Sequence, residues 1–135
     1  MPKPERLEPP FCIANKVMRI HRLTSGVFRK HLRPHGVSES QLSILFIAEG
    51  FGEIQQSALA ARLHMEKSSM SRTLTRLFAS GWVRRNAAGA LTVTPKGRKA
   101  IQNIRPSWEA AMREIRDRLG DEGEDALSLV LERLT

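Results

Sequence analysis

Cations and short hydroxyls at helical spacing are the residues here best suited to chemistry, and that chemistry is the holding of a polyanion. Ser68, Ser69, Arg72, Thr75 and Arg76 fall on one side of a short helical segment whose other side is Met70, Leu74, Leu77 and Phe78. The planar guanidinium of Arg72 can address two acceptors at once, such as O6 and N7 of guanine in a DNA major groove roughly 12 Å wide. Ser68 and Ser69 lie near the start of the segment, where free backbone amides also favour an anion. Arg76, Arg62, Lys67, Arg84 and Arg85 have the charge to hold phosphates, and the plainer alternative for each is a solvated surface cation.

The charge distribution supports a polyanion partner. The chain has a net charge of +8, and residues 54–99 hold nine Lys/Arg against one acid, whereas residues 1–53 hold eight against five and residues 100–135 five against eight. The middle third therefore carries the whole excess. Such a localised field attracts nucleic acid ahead of an anionic membrane or an acidic protein surface.

Other chemistries find little support. The sequence has no H-E-x-x-H, no Gly-rich phosphate loop and no G-x-S-x-G elbow, so neither an enzyme nor a cofactor is expected. His31 and His35 are four apart, with His21 upstream, but Pro34 and Gly36 disrupt the helix that would align them, and a surface pair is the expectation rather than a metal site. Trp82, Trp108 and the methionines read as core. Cys12 is the one cysteine, so no internal disulfide can form, which fits a reducing, cytoplasmic setting. Near a helix start its thiol could act as a redox switch, and inert packing is the competing reading. The longest apolar run, Ile44 to Ala48, is far short of a membrane span, and the Pro-rich start lacks a signal-peptide core.

Positioning these side chains requires a mainly α architecture with one hairpin. Ile13, Val17, Ile20, Leu23, Val27 and Phe28 mark a helix from Phe11 to about Leu32, ended by Pro34 and Gly36. Ser38 and Gln41 form a capping box for a second helix, with Leu42, Leu45 and Phe46 inward until Gly50 and Gly52 break it. A third helix is expected over Ile54 to Leu63, then a tight turn at His64, Met65 and Glu66, then the polar-faced helix ending at Gly81. Trp82 to Arg85 and Ala90 to Thr94 read as strands of a basic hairpin across Asn86-Ala87-Ala88-Gly89. Thr94-Pro95 starts a long helix with an apolar stripe from Ala100 to Leu119, a kink expected at Pro106 and a stop at Gly120. Asp121 and Glu124 suggest another capping pair, before a last helix lined by Leu127, Val130, Leu131 and Leu134.

Two short helices with small Ala60 at their crossing, followed at once by a basic hairpin, have the order of a winged helix-turn-helix. From about Phe11 to Leu134 the chain resembles the MarR (multiple antibiotic resistance regulator) family. The resemblance rests on Ser57-Ala58-Leu59-Ala60-Ala61-Arg62-Leu63, Met70-Ser71-Arg72-Thr73-Leu74-Thr75-Arg76-Leu77, Gly81-Trp82-Val83-Arg84-Arg85 and Leu91-Thr92-Val93-Thr94-Pro95-Lys96-Gly97. It implies a homodimer through the first helix and the last two, with two recognition helices on a palindromic double-stranded DNA site. It also implies a small aromatic effector in the crevice between dimer helices and winged helix. Peroxide-sensing members place a cysteine near the position of Cys12, but beside tyrosines, and this chain has none. His64 stands where the motif usually has glycine, and the hairpin tip is short and lacks the family's Asp-x-Arg.

The expected fold is thus a winged helix-turn-helix flanked by N- and C-terminal dimerisation helices. The expectation is a single domain over 1–135, with 11–50 and 95–135 as the helical dimerisation and core part and 51–94 as the DNA-binding part. The expected function is a ligand-responsive repressor. Two alternatives stand beside it: a redox-responsive repressor acting through Cys12, and a winged-helix adaptor that binds protein.

Overall fold

The computed structural model describes residues 12–135, so the expected helix start at Phe11 lies outside the described residues. Helix α1, Ile13–Leu32, passes into a single 3-10 turn, Arg33–His35, and Gly36 closes it at φ 63°. Helix α2, Glu39–Phe51, has the expected capping box: Ser38 Oγ accepts from the Gln41 amide at 3.2 Å, and Gln41 Oε1 accepts from the Ser38 amide at 2.9 Å. The helix runs through Gly50 and stops only at Gly52 (φ 76°), because one helical glycine costs about 1 kcal/mol, too little to end a segment that buries Leu42, Ile44, Leu45 and Ala48.

Helix α3, Gln56–Leu63, begins two residues later than its apolar pattern suggests. Ile54 instead exchanges both backbone hydrogen bonds with Leu91, at 3.1 and 2.8 Å, and so extends the hairpin sheet. After the turn comes α4, Lys67–Ala79, with Met70, Leu74 and Leu77 buried. Strands β1, Val83–Arg85, and β2, Leu91–Val93, pair antiparallel with Val83 opposite Val93. Trp82 with Thr94 and Asn86 with Ala90 flank these three pairs through one backbone bond each, at 2.9 and 2.8 Å.

Helix α5, Pro95–Leu134, starts as expected, with Thr94 Oγ1 accepting from the Gly97 amide at 3.0 Å. Its backbone stays helical through Pro106, and the one departure is at Gly120, φ 64° and ψ 176°. That break divides α5 into a first arm, 95–119, and a second arm, 121–134. Asp121 makes no cap bond; Glu124 instead accepts from Arg116 Nε at 3.2 Å across the break, since a cation one turn back offers a stronger partner than an amide.

One contiguous core joins the elements, with Leu32, Leu42, Leu45, Leu74, Leu77, Leu91, Ile101 and Ile104 among its buried side chains. The first arm of α5 runs antiparallel to α1. His31 and His35, expected at the surface, are half-buried along this seam: His35 Nε2 lies 2.9 Å from Ser107 Oγ, and His31 lies beside Glu114. Lys30 bonds the same carboxylate and holds the Glu114 carboxyl below its usual range. Nearby, Phe46 and Trp108 meet edge to face with centroids 5.1 Å apart.

His64 caps α3 in the left-handed region, φ 52° and ψ 36°, the one non-glycine at positive φ among the described residues. Histidine is tolerated there better than most residues, and β-branched ones are not. We expect His64→Ile to lower unfolding stability by about 1–2 kcal/mol in urea titrations and His64→Gly to leave it unchanged or higher. Equal losses from both would show that the imidazole, not the backbone, matters at this turn.

Candidate nucleic-acid interface

The polar face of α4 is built from its apolar one. Burial of Met70, Leu74 and Leu77 fixes the rotation of the helix, which leaves Lys67, Ser68, Arg72, Thr75 and Arg76 exposed and Ser69 half-buried. Glu66 precedes the helix in extended conformation and its side chain makes no cap bond, so the first-turn amides of α4 remain free to meet an anion. Met65 N donates to Ala60 O at 3.0 Å and His64 N to Ala61 O at 3.3 Å, which closes the turn and sets α4 across α3.

Two of these side chains are partly committed. Arg72 Nη2 donates to Ser69 Oγ at 3.3 Å, a long bond that orients the guanidinium along the helix surface and is easily exchanged for a base edge. The Thr75 hydroxyl donates back to Ser71 O at 2.9 Å, so toward a partner it acts only as an acceptor or through its methyl group. Arg76 also borders an open cleft of about 560 Å³ between α1 and the start of α2.

The remaining cations differ in freedom. Arg62 stacks over the Phe51 ring at 4.9 Å. Arg85 lies over Phe78 at 5.4 Å and donates to Gln56 Oε1 and, at 3.3 Å, to Gly89 O. Arg84, one residue earlier, is exposed and makes no side-chain bond among the described residues. The hairpin tip is an Asn86 turn: Asn86 Oδ1 accepts from Ala88 N at 3.0 Å and Ala90 N at 2.9 Å, while its Nδ2 donates to Glu53 Oε2 at 2.7 Å. Ala87 and Ala88 are the exposed tip residues, so no long cation stands there.

Sequence reasoning did not find Gln56, Glu53, Phe51 or Phe78 as supports. They lie about 30 residues from Arg85 and Asn86, or on another helix, and no local spacing marks such a pairing. Exposed Phe51 beside two glycines was the one available signal. Cys12 is exposed, which removes inert packing within the single chain as its explanation.

A helix-turn-helix whose second helix presents free amides, hydroxyls and cations, with a short hairpin tied to its side, is a winged helix-turn-helix. Residues 37–88 match the model of the MarR family, so the resemblance drawn from the sequence is borne out. The chain is 24% identical over 121 residues to YwoH of Bacillus subtilis, an uncharacterised HTH-type transcriptional regulator, covering 86% of this chain and 88% of that one. It is similar to the solved M. tuberculosis transcriptional regulator MosR, with 28% identity, coverage of 91% and 93%, and a TM-score of 0.76. The fold is also shared with the transcriptional repressor CouR bound to p-coumaroyl-CoA, at 18% identity, coverage of 99% and 97%, and a TM-score of 0.84. The chain thus carries a segment that matches the MarR family model and shares its fold with transcriptional regulators.

Arg85 is tied on three sides where Arg84 is free, which gives them separable roles. Arg85→Ala should loosen the hairpin and speed amide exchange at Leu91 and Ile54, whereas Arg84→Ala should leave that exchange unchanged. Similar protection in both variants would mean that the Gln56 and Phe78 contacts do not hold the wing.

Proposed function

We propose that the protein binds operator DNA as a homodimer on a palindromic site and is released by a small aromatic effector, as a ligand-responsive repressor. The observation that carries this reading is the exposed face of α4, where free first-turn amides, Ser68, Ser69 and Arg72 stand together in the most basic third of the chain. In this reading Arg72 reads a base edge, with Ser68, Ser69 and Thr75 beside it. Lys67, Arg76, Arg62, Arg84 and Arg85 act on phosphates, the last two through the wing.

Dimerisation is supported by apolar residues left exposed on α1 and on the second arm of α5, in amounts a soluble monomer rarely tolerates. The effector reading rests on the cleft between α1 and α2. Phe28, Leu32 and Val37 give it an apolar wall, and Arg29, Arg33 and Arg76 supply cations for an acid group. CouR holds an aromatic acyl thioester, which agrees with an aromatic ligand class here.

Footprinting on the DNA upstream of its own gene separates this reading from an adaptor that binds only protein. Protection there is expected, and none would sink the repressor. If a dimer neutralises roughly 6–10 phosphates, affinity should fall about 10³–10⁵-fold between 50 and 200 mM salt. Arg72→Ala should flatten preference among operator variants, while Arg84→Ala should weaken all of them alike. Parallel losses in both variants would remove base reading from Arg72. The exposure of Cys12 keeps a redox-responsive repressor in view as a second reading. In the ligand-responsive reading, peroxide affects DNA binding of wild type and Cys12→Ser equally, and release confined to wild type would favour the redox reading instead.

A further inference from the structure

We propose a second ligand site, separate from the cleft between α1 and α2: a recess at the base of the wing that takes a small aromatic acid, one ring bearing a carboxylate. The proposal stands independently of the dimer and effector readings above.

The recess measures about 270 Å³ and is apolar at its floor. Ile104 is 2% exposed there, and half-buried Trp82 and Ala100 pack against the core beside it. Its polar groups are Lys96, Lys99 and Asn103 from the start of α5 and His35 from the turn after α1. None of these residues lines the cleft between α1 and α2, although the intervening turn serves both, through His35 here and through Arg33, Gly36 and Val37 there. Small-molecule sites commonly run from about 300 to 1,000 Å³, so a recess of this size suits a single ring.

The charges in it stand against the helix that carries them. A helix N-terminus disfavours cations, yet the first turn of α5 holds Lys96 and has no acid to offset it. Lys99 follows three residues later on the same side, where like charges repel. Neither lysine has an ion pair or a side-chain hydrogen bond among the described residues. Lys96 does not simply extend into solvent. Its chain folds back over Gly81, with Nζ 3.8 Å from the point where a Cβ on that glycine would stand. An anion between the two ammonium groups relieves both the repulsion and the clash with the helix dipole, and a departure from a stability rule of this kind is expected where a ligand binds.

The remaining groups favour the same occupant. The Trp82 indole N–H has no partner among the described residues, and neither has the Asn103 amide. His35 commits Nε2 to Ser107 at 2.9 Å and keeps its other ring nitrogen unpaired. No carboxylate lines the recess, so a cationic ligand finds no counter-charge. An inorganic anion would use the lysines and leave the floor bare, whereas a ring covers Trp82 and Ile104 while its carboxylate meets the ammonium groups.

The test follows the two indole N–H resonances of isotope-labelled full-length protein during titration with benzoate, with Trp108→Phe identifying the signal of Trp82. That signal should shift saturably with benzoate and little with inorganic phosphate at equal ionic strength. Lys96→Gln with Lys99→Gln, two exposed positions, should weaken the benzoate response about tenfold, the scale of a lost hydrogen bond to a charged group. Arg29→Gln with Arg33→Gln, in the other cleft, should leave it unchanged. Equal responses to phosphate and benzoate would reveal a cationic patch without ring recognition and overturn the site. A Trp82 signal that does not move, or one indifferent to the lysine replacements, overturns it as well. A response lost only with Arg29 and Arg33 would assign benzoate to the cleft between α1 and α2, removing the second site and leaving the effector reading intact.

Discussion

The orientation of the winged helix relative to the long helices depends on one close approach, between Gly97 and the base of the wing. A Cβ on Gly97 would fall 2.2 Å from Trp82 O and 2.7 Å from Val93 Cγ1, so only glycine permits the first turn of α5 to press against the hairpin. Thr94 fastens the same corner. Its hydroxyl donates to Gly81 O at 2.6 Å and accepts from the Gly97 amide, and its own amide donates to Trp82 O at 2.9 Å. The chain leaves α4, makes the hairpin and enters α5 within a small volume. The angle between the exposed basic face of α4 and the helices that carry exposed apolar stripes is set there, by steric contact rather than by a flexible linker.

The hairpin is held on a second side as well. Ile54 pairs with Leu91, Arg85 reaches Gln56, and Asn86 reaches Glu53, so the loop before α3 and the wing behave as one three-stranded edge. A wing of three residue pairs would be marginal alone, since isolated two-stranded hairpins rarely persist in water. These side-chain ties let it remain short. They also occupy groups that would otherwise be available to a ligand, which is why Arg84 and Arg85, adjacent in sequence, differ in freedom. Arg76 stands at the opposite side of α4, where the recognition face meets the cleft against α1. Its guanidinium is thus shared between the exposed face of α4 and the lining of that cleft.

Much of this arrangement could be read from the sequence because it rests on local rules. The capping box at Ser38, the Thr94-Pro95 helix start, the two faces of α4 and the glycine stops at positions 36, 52, 81 and 120 follow from spacing and from which residues tolerate positive φ. His64 was visible only as an anomaly. Its left-handed backbone shows that the turn keeps the geometry glycine would adopt, with the side chain accepted at some cost. What could not be read were contacts between distant segments. Ile54 has the apolar character of a helix start, and only the arrival of Leu91 beside it turns it into a sheet residue. Arg85 belongs to the same basic cluster as Arg84 until the placement of Gln56 and Phe78 is known.

Gly120 shows where local legibility ends. A glycine stop was evident in the sequence, and so were apolar stripes on both α1 and the last segment, but the two were separate observations. In the structure they have one cause. The break falls where α5 would begin to cover the outer half of α1, so one residue without a Cβ leaves two stripes of opposite charge uncovered at once. The backbone dihedrals at position 120 thus leave the second arm and the outer half of α1 both exposed within one chain. Hydrophobic pattern marks a surface for burial, and the turn at Gly120 keeps the second arm from covering the outer half of α1 in its own chain.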